Sequence, residues 1–193
     1  MKRAPAKTVL ARPDLARPGL AKPAPAKPAP AKPALAAPAI DIMVREPLWA
    51  TQRGARATVR RAISEAALAT STSAGELAIV LTDDSTIRSL NRDWRSKDKP
   101  TNVLSFPAHH DGRETPRHLG DIVIAYQTTA REAKAEYKPF RHHLAHLAVH
   151  GFLHLIGYDH EADDEAEIME CLEISVLARL QVPNPYVTRE PPG

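Results

Sequence analysis

Several features are scarce or missing in this chain of 193 residues, and each absence excludes a class of protein. A single cysteine, Cys171, cannot form an intramolecular disulfide and favours a reducing compartment. No run of about 18 apolar residues occurs, so no membrane span is expected. The basic N-terminus is interrupted by prolines and lacks the continuous apolar core of a secretory signal. Together these absences predict a cytoplasmic location and no membrane partner.

Proline and positive charge are concentrated at one end of the chain. Residues 1–38 hold nine of the 18 prolines and carry a net charge of +7; the whole chain is +3, which leaves −4 for residues 39–193. Repeats of Ala-Lys-Pro-Ala predict a disordered tail with polyproline-II character. This tail is either a basic arm that attracts a polyanion or a solvated extension without a specific task. We expect a single catalytic domain at 39–187 and a flexible C-terminus at 188–193.

Apolar runs and helical periodicity predict the secondary structure of that domain. Short apolar segments bounded by Gly, Pro or Asp indicate strands at 39–44, 76–82, 103–106 and 119–125. Apolar residues at helical spacing indicate helices at 51–69, from Asp83 or Asp84 to about 92, and at 128–136, 141–156 and 163–180. Since the strands cluster early and the helices late, we predict an α+β fold: a small mixed sheet of about four strands with helices packed on it.

Three histidines in the C-terminal half follow a metal-ligand spacing. His150 and His154 are four residues apart, which places both imidazoles on one face of a helix. Gly157 permits the left-handed backbone that ends many helices, so the chain can reverse and bring His160 to the other two. Three imidazoles on one ion leave a coordination position open, which is the catalytic form of a zinc site. We therefore predict one zinc ion on His150, His154 and His160.

The same spacing occurs in metzincin proteases, where a glutamate follows the first histidine and acts as the general base. Here that position is Gly151, so the spacing favours a metal site and disfavours a peptidase. The alternative is a histidine-rich core helix without metal. That alternative gives no reason for a glycine turn followed by a third histidine.

A loop at 94–102 is dense in positive charge. Arg95 can hold two phosphate oxygens with its planar guanidinium, Lys97 and Lys99 add charge, and Trp94 can stack on a base. We name these four residues as candidate substrate-binding residues, with Arg95 also catalytic. The alternative is a solvated charged loop without a ligand.

A few other side chains carry weaker expectations. Asp159 is expected either to hydrogen-bond a ligand imidazole and fix its tautomer or to cap the last helix. His146 is expected to touch substrate or line the cleft and not to serve as a fourth ligand. His143 is expected at the surface, and Cys171 is expected to be a buried structural thiol.

These segments, taken together, resemble a known family. HGFLHLIGYDH at 150–160 is similar to the signature of the YbeY family, bacterial endoribonucleases of ribosomal RNA maturation. Residues 90–107, residues 119–124 and the acidic start of the last helix at 161–167 resemble further blocks of that family, in the same order. The resemblance covers roughly residues 40–187 and leaves the lysine-proline tail outside.

The resemblance implies a single-strand-specific, zinc-dependent endoribonuclease that acts in 3′-end maturation of small-subunit (16S) ribosomal RNA and in ribosome quality control. It implies zinc on His150, His154 and His160, a functional arginine at Arg95, and an α+β fold. It also implies ribosomal RNA, the small ribosomal subunit and a ribosomal protein as partners. The attacking group, hydroxide or the RNA 2′-OH, stays open.

Two other functions fit the same residues. One is a non-catalytic ribosome-assembly factor that zinc stabilises, for which metal removal should unfold the domain. The other is a zinc hydrolase of another substrate class, against which Gly151 argues in the case of peptides.

Overall fold

The structure is a computed structural model, and it describes residues 37–72, 75–108, 118–160 and 162–187. The predicted tail lies outside the described residues up to residue 36. Residues 109–117 and the predicted flexible end at 188–193 lie outside them as well. Within the described residues, no helix has both the length and the apolar character that crossing a membrane requires.

Every predicted strand and helix has a counterpart in the described residues, which confirms the α+β class. The elements, in chain order, are β1 (Ala39–Val44), a 3₁₀ turn (Pro47–Thr51), α1 (Ala55–Ala69), β2 (Glu76–Thr82), α2 (Asp84–Arg95), β3 (Val103–Pro107), β4 (His118–Ala125), α3 (Tyr126–Ala135), α4 (Phe140–Leu155) and α5 (Asp163–Arg179).

The four described strands form one mixed sheet in the order β1-β2-β4-β3. β1, β2 and β4 run parallel to one another, and β3 pairs antiparallel with β4. β3 is an edge strand, which suits Pro107, because proline has no backbone N–H to donate to a neighbouring strand.

Side chains alternate between the two faces of this sheet. Ile122 and Ile124 of β4 belong to the large apolar cluster that includes α1, α4 and α5. Val123, between them, belongs to a smaller cluster that includes Ile87 of α2 and Leu104 of β3. Successive residues of a strand point to opposite faces, so β3 and β4 separate α4 from α2.

Two predicted helix bounds were wrong. The first helix begins at Ala55 and not at residue 51, because the 3₁₀ turn and Gly54, with φ 84°, precede it. α2 extends to Arg95, so Trp94 and Arg95 lie in its last turn and not in a loop. Asp83 caps this helix by accepting a hydrogen bond of 2.7 Å from the Thr86 N–H, as one of the two predicted caps.

Two predictions of burial were also wrong. His143 is buried, and its Nε2 lies 2.8 Å from Oε2 of Glu132 on α3. Cys171 is exposed. The buried stripe of α5 consists of Met169, Glu173, Val176 and Leu177.

Candidate metal centre and adjoining cleft

α4 presents His150 and His154 one turn apart, with their Nε2 atoms 3.1 Å from each other. After the helix ends, Gly157 adopts φ +94°, and the chain reverses as predicted. The His160 ring then lies 5.3 Å from the His150 ring and 4.9 Å from the His154 ring, measured between centroids. One ring nitrogen from each of the three histidines lies within 4.8 Å of the others.

The donor set of this cluster fits a metal ion. Metal–nitrogen bonds of about 2.1 Å allow two ligands of one ion to lie up to about 4.2 Å apart, so the pair on α4 satisfies the limit. His160 is exposed, so its ring has room to approach the half-buried pair. Imidazole nitrogens suit zinc as well as copper, iron and nickel. The group formed by His150, His154 and His160 could therefore hold a metal ion.

The protonation of the cluster also suits metal binding, since only a neutral imidazole is a ligand. Burial lowers the pKa of His154, and the neighbouring His150 and His160 lower it further. His154 is thereby kept neutral to lower pH than an ordinary histidine.

A buried carboxylate that the sequence analysis missed lies directly behind the cluster. Glu173 of α5 has Oε1 at 2.8 Å from Nδ1 of His150 and Oε2 at 2.9 Å from Nε2 of His146. The Tyr186 hydroxyl also donates to Oε2. Burial alone would raise the pKa of Glu173, but the hydrogen bonds from His146, His150 and Tyr186 lower it to about 2. The carboxylate is therefore ionised.

Asp159 lies beside the third histidine. Its Oδ1 accepts a hydrogen bond of 2.8 Å from the His160 backbone N–H and lies 3.4 Å from Nδ1 of the same residue. The pKa of Asp159 is lowered, first by the backbone hydrogen bond from His160. It does not cap α5, because the N-cap residue is Ala162 and no side chain caps that helix.

The packing of α4 explains why residue 151 is a glycine, which its place in the motif does not reveal. A Cβ at this position would lie 3.0 Å from Cγ2 of Ile122 and 3.1 Å from Oγ of Ser105. α4 therefore packs closely on the sheet at this glycine, and a larger residue here would require Ile122 and Ser105 to shift.

Arg95 borders a cleft of about 750 Å³ that is mostly apolar inside. The Trp94 ring, 72% exposed, stands at this cleft with its centroid 5.7 Å from the Phe106 ring. Residues that line the cleft include Leu90, Trp94, Arg95, Phe106, His118 and Asp121.

The chain around Arg95 carries uncompensated positive charge. Arg88 neutralises Asp98 through two hydrogen bonds of 2.8 and 2.9 Å, and Arg92 pairs with Asp93 at 2.9 Å. The Arg95 side chain makes no hydrogen bond or ion pair within the described part of the chain. The side chains of Lys97 and Lys99 are exposed as well, so three cations remain available to an anion.

Two residues of the cleft wall contact the helix that carries the histidines. The Ser105 hydroxyl donates to the carbonyl oxygen of Gly151, at 3.0 Å. A Cβ on Gly120 would lie 3.0 Å from Cδ2 of Leu155. Gly151 and Leu155 directly follow His150 and His154, so the helix that carries these two histidines packs against the wall of the cleft.

Comparison with known proteins gives one clear family match. The family model described as endoribonuclease YbeY matches residues 46–181. A protein of Nitrobacter hamburgensis named endoribonuclease YbeY is 54% identical over 157 residues, covering 78% of this chain and 83% of that protein. A protein of Rhodopseudomonas palustris with the same name is 55% identical over 157 residues, covering 78% and 82%. A solution structure from Thermotoga maritima aligns with a TM-score of 0.46 and 22% identity over 74% of this chain and 91% of that one, a likeness too low to carry an argument.

Proposed function

The chain belongs to the endoribonuclease YbeY family, and from that premise we propose that it is a zinc-dependent endoribonuclease specific for single-stranded RNA. Its role is the maturation of the 3′ end of small-subunit (16S) ribosomal RNA and ribosome quality control. The observation that carries the proposal is the convergence of His150, His154 and His160. The helix that carries the first two of them contacts the wall of the cleft that Arg95 borders.

In this proposal His150, His154 and His160 hold one zinc ion through their ring nitrogens. A bound zinc ion lowers the pKa of water to about 7 and polarises a phosphoryl oxygen. The protein's part is to hold the three imidazoles close together and to keep that of His154 neutral. The lowered pKa of His154 supports this part.

Arg95 holds the scissile phosphate and balances the negative charge that grows in the transition state. Lys97 and Lys99 attract the neighbouring phosphates. Trp94 stacks on a base, and because a paired base presents no free face to an aromatic ring, this contact selects single strands. The guanidinium of Arg95, which has no partner among the described residues, and the exposed ring of Trp94 support these roles.

The charge of the proposed catalytic domain, residues 39–187, bears on its partners. Residues 39–193 carry −4, which is unfavourable for general binding to RNA. Three sources can provide affinity for RNA despite this negative charge: the local cations around Arg95, the basic tail at 1–38, and a ribosomal protein of the small subunit that presents the RNA. We place this work in the cytoplasm, where the small subunit matures.

A cleavage assay with the purified full chain tests the proposal. Single-stranded RNA should be cut, the same sequence in a duplex should not, and a chelator should stop cleavage until zinc is restored. Cleavage that persists after complete metal removal would contradict it. Loss of the folded state on chelation, with no cleavage by the zinc-loaded chain, would favour the metal-stabilised assembly factor.

A further inference from the structure

One buried charge lies in the core behind the metal centre. The Glu173 side chain is 0% exposed and shares the buried stripe of α5 with Met169, Val176 and Leu177. An ionised carboxylate away from water is costly unless donors satisfy its oxygens. The partners of Glu173 therefore indicate why the sequence places a charge there.

The partners come from two parts of the chain. On α4, His150 Nδ1 lies 2.8 Å from Oε1 and His146 Nε2 lies 2.9 Å from Oε2. The Tyr186 hydroxyl, in the segment after α5, donates to Oε2 as well. Lys138 anchors that segment by donating to the Pro185 carbonyl oxygen at 2.6 Å. His146 and Tyr186 thus hold one oxygen and leave the other directed at His150.

This arrangement decides which nitrogen of His150 carries the proton. A carboxylate oxygen accepts a hydrogen bond from an imidazole N–H, so the contact of 2.8 Å with Oε1 assigns the hydrogen of His150 to Nδ1. The lone pair is then on Nε2, the atom that faces Nε2 of His154 at 3.1 Å. A histidine protonated on Nε2 would present a hydrogen to the position where the three ligands meet.

We infer that Glu173 is a positioning residue that fixes the tautomer and ring orientation of His150, so that its Nε2 is ready to bind the ion. The inference rests on the proposed metal centre. It also assigns His146 and Tyr186 the task of orienting Glu173.

The same atoms allow a second interpretation, in which Glu173 is itself a ligand. Its carboxylate and the rings of His146 and His150 offer atoms within 4.8 Å of one another. An ion there would displace the hydrogen bonds from both histidines and would require His150 to bind two ions at once. The hydrogen-bonded arrangement makes neither demand.

Nitrogen NMR of the His150 ring in the metal-free full chain at about pH 8, where histidines are neutral, tests the inference directly. The wild type should show the Nδ1–H tautomer. Glu173→Met, of similar length but without an acceptor, should shift the population towards Nε2–H. Glu173→Gln, which retains an acceptor oxygen, should give an intermediate population. Glu167→Gln, an exposed position on the same helix, is the matched control and should behave as the wild type.

Zinc affinity provides the second measurement. Zinc binding should be about 10- to 100-fold weaker in Glu173→Met, with one ion per wild-type chain. An unchanged tautomer and affinity in a folded variant would overturn the inference, as would two ions per wild-type chain with one lost in the variant. If Glu173→Met does not fold, the tautomer and zinc affinity of Glu173→Gln decide in the same way. Because the NMR measurement needs neither metal nor RNA, a failure of the nuclease proposal alone would leave the tautomer result intact.

Discussion

The histidine cluster and the Arg95 cleft involve two helices, α4 and α2, that both pack on β3 and β4, but the two sites are built in opposite ways. At the cluster, His150 is held from behind by the buried Glu173 and faces His154 at 3.1 Å. At the cleft, Arg95 is exposed, and its side chain makes no hydrogen bond within the described residues. The first region is organised before any ligand arrives, whereas the second is open to one.

The difference matches what each ligand requires. A metal ion demands fixed donors within a few tenths of an ångström, which buried hydrogen bonds supply. A single-stranded RNA varies in sequence and conformation, so exposed cations and an aromatic ring can follow it. Substitutions at the cluster should therefore lower the metal content, whereas substitutions at the cleft should leave it unchanged.

The largest effect is expected at the cluster itself. His154→Ala removes one of three ligands, and cleavage of single-stranded RNA should fall by at least about 10³-fold, because water loses the acidity that zinc confers. Zinc content of the purified variant, measured beside the cleavage rate, should fall as well. A variant that cuts RNA at the wild-type rate would remove His154 from the mechanism.

Acid should reveal how strongly the carboxylate behind the cluster stabilises the fold. The folded pKa of Glu173 is about 2 against an ordinary 4.5, so its stabilisation is present above pH 4.5 and is lost as pH falls towards 2. The difference corresponds to about 3 kcal/mol. Urea unfolding of the metal-free chain between pH 5 and pH 3 should show a steeper loss of the unfolding free energy in the wild type than in Glu173→Gln. Equal slopes would show that this carboxylate does not titrate with folding.

At the cleft, charge reversal should separate catalysis from metal binding. Arg95→Glu should lower the cleavage rate by about 10²- to 10³-fold, the usual cost of removing one donor to a developing anion, while zinc content stays unchanged. Arg92→Glu is the matched control, since Arg92 lies on the same helix and is already paired with Asp93. Equal losses of cleavage rate in both variants would show that Arg95 contributes only general positive charge.

The smallest effect is expected at the turn between the second and third histidines. Gly157 has φ +94°, and a Cβ added to it would meet no atom within 4 Å, so only the backbone conformation restricts the residue there. Gly157→Val should lower the unfolding free energy by about 1–2 kcal/mol and weaken zinc binding through His160. Gly157→Asn should retain most of the unfolding free energy and most of the zinc affinity, because asparagine tolerates this conformation. Equal effects of Val and Asn in thermal melts and zinc titrations would contradict the backbone explanation.

Sequence patterns predicted what depends on local chemistry. The strand Glu76–Thr82 was predicted at its observed bounds because an apolar run is closed by Gly75 and Asp83. The convergence of the three histidines followed from helical spacing and one glycine, all within 11 residues. The binding of a metal there stays a prediction.

The sequence analysis missed the features that depend on the packing of elements distant along the chain. Glu173 is one of six acidic residues in α5, and only its helical spacing from Met169 and Val176 marks it as buried. Its partners on α4 lie 23 and 27 residues away along the chain. The burial of His143 was missed because its contact with Glu132 forms only when α3 and α4 pack together.

The most direct test of the account is the metal content of the purified full chain before and after His160→Ala. His160 is exposed, so this variant should fold, and its ring is the ligand contributed after the turn. The account predicts one zinc ion per wild-type chain and a large loss of zinc in the variant. A folded variant that retains the full zinc content would contradict the three-histidine centre.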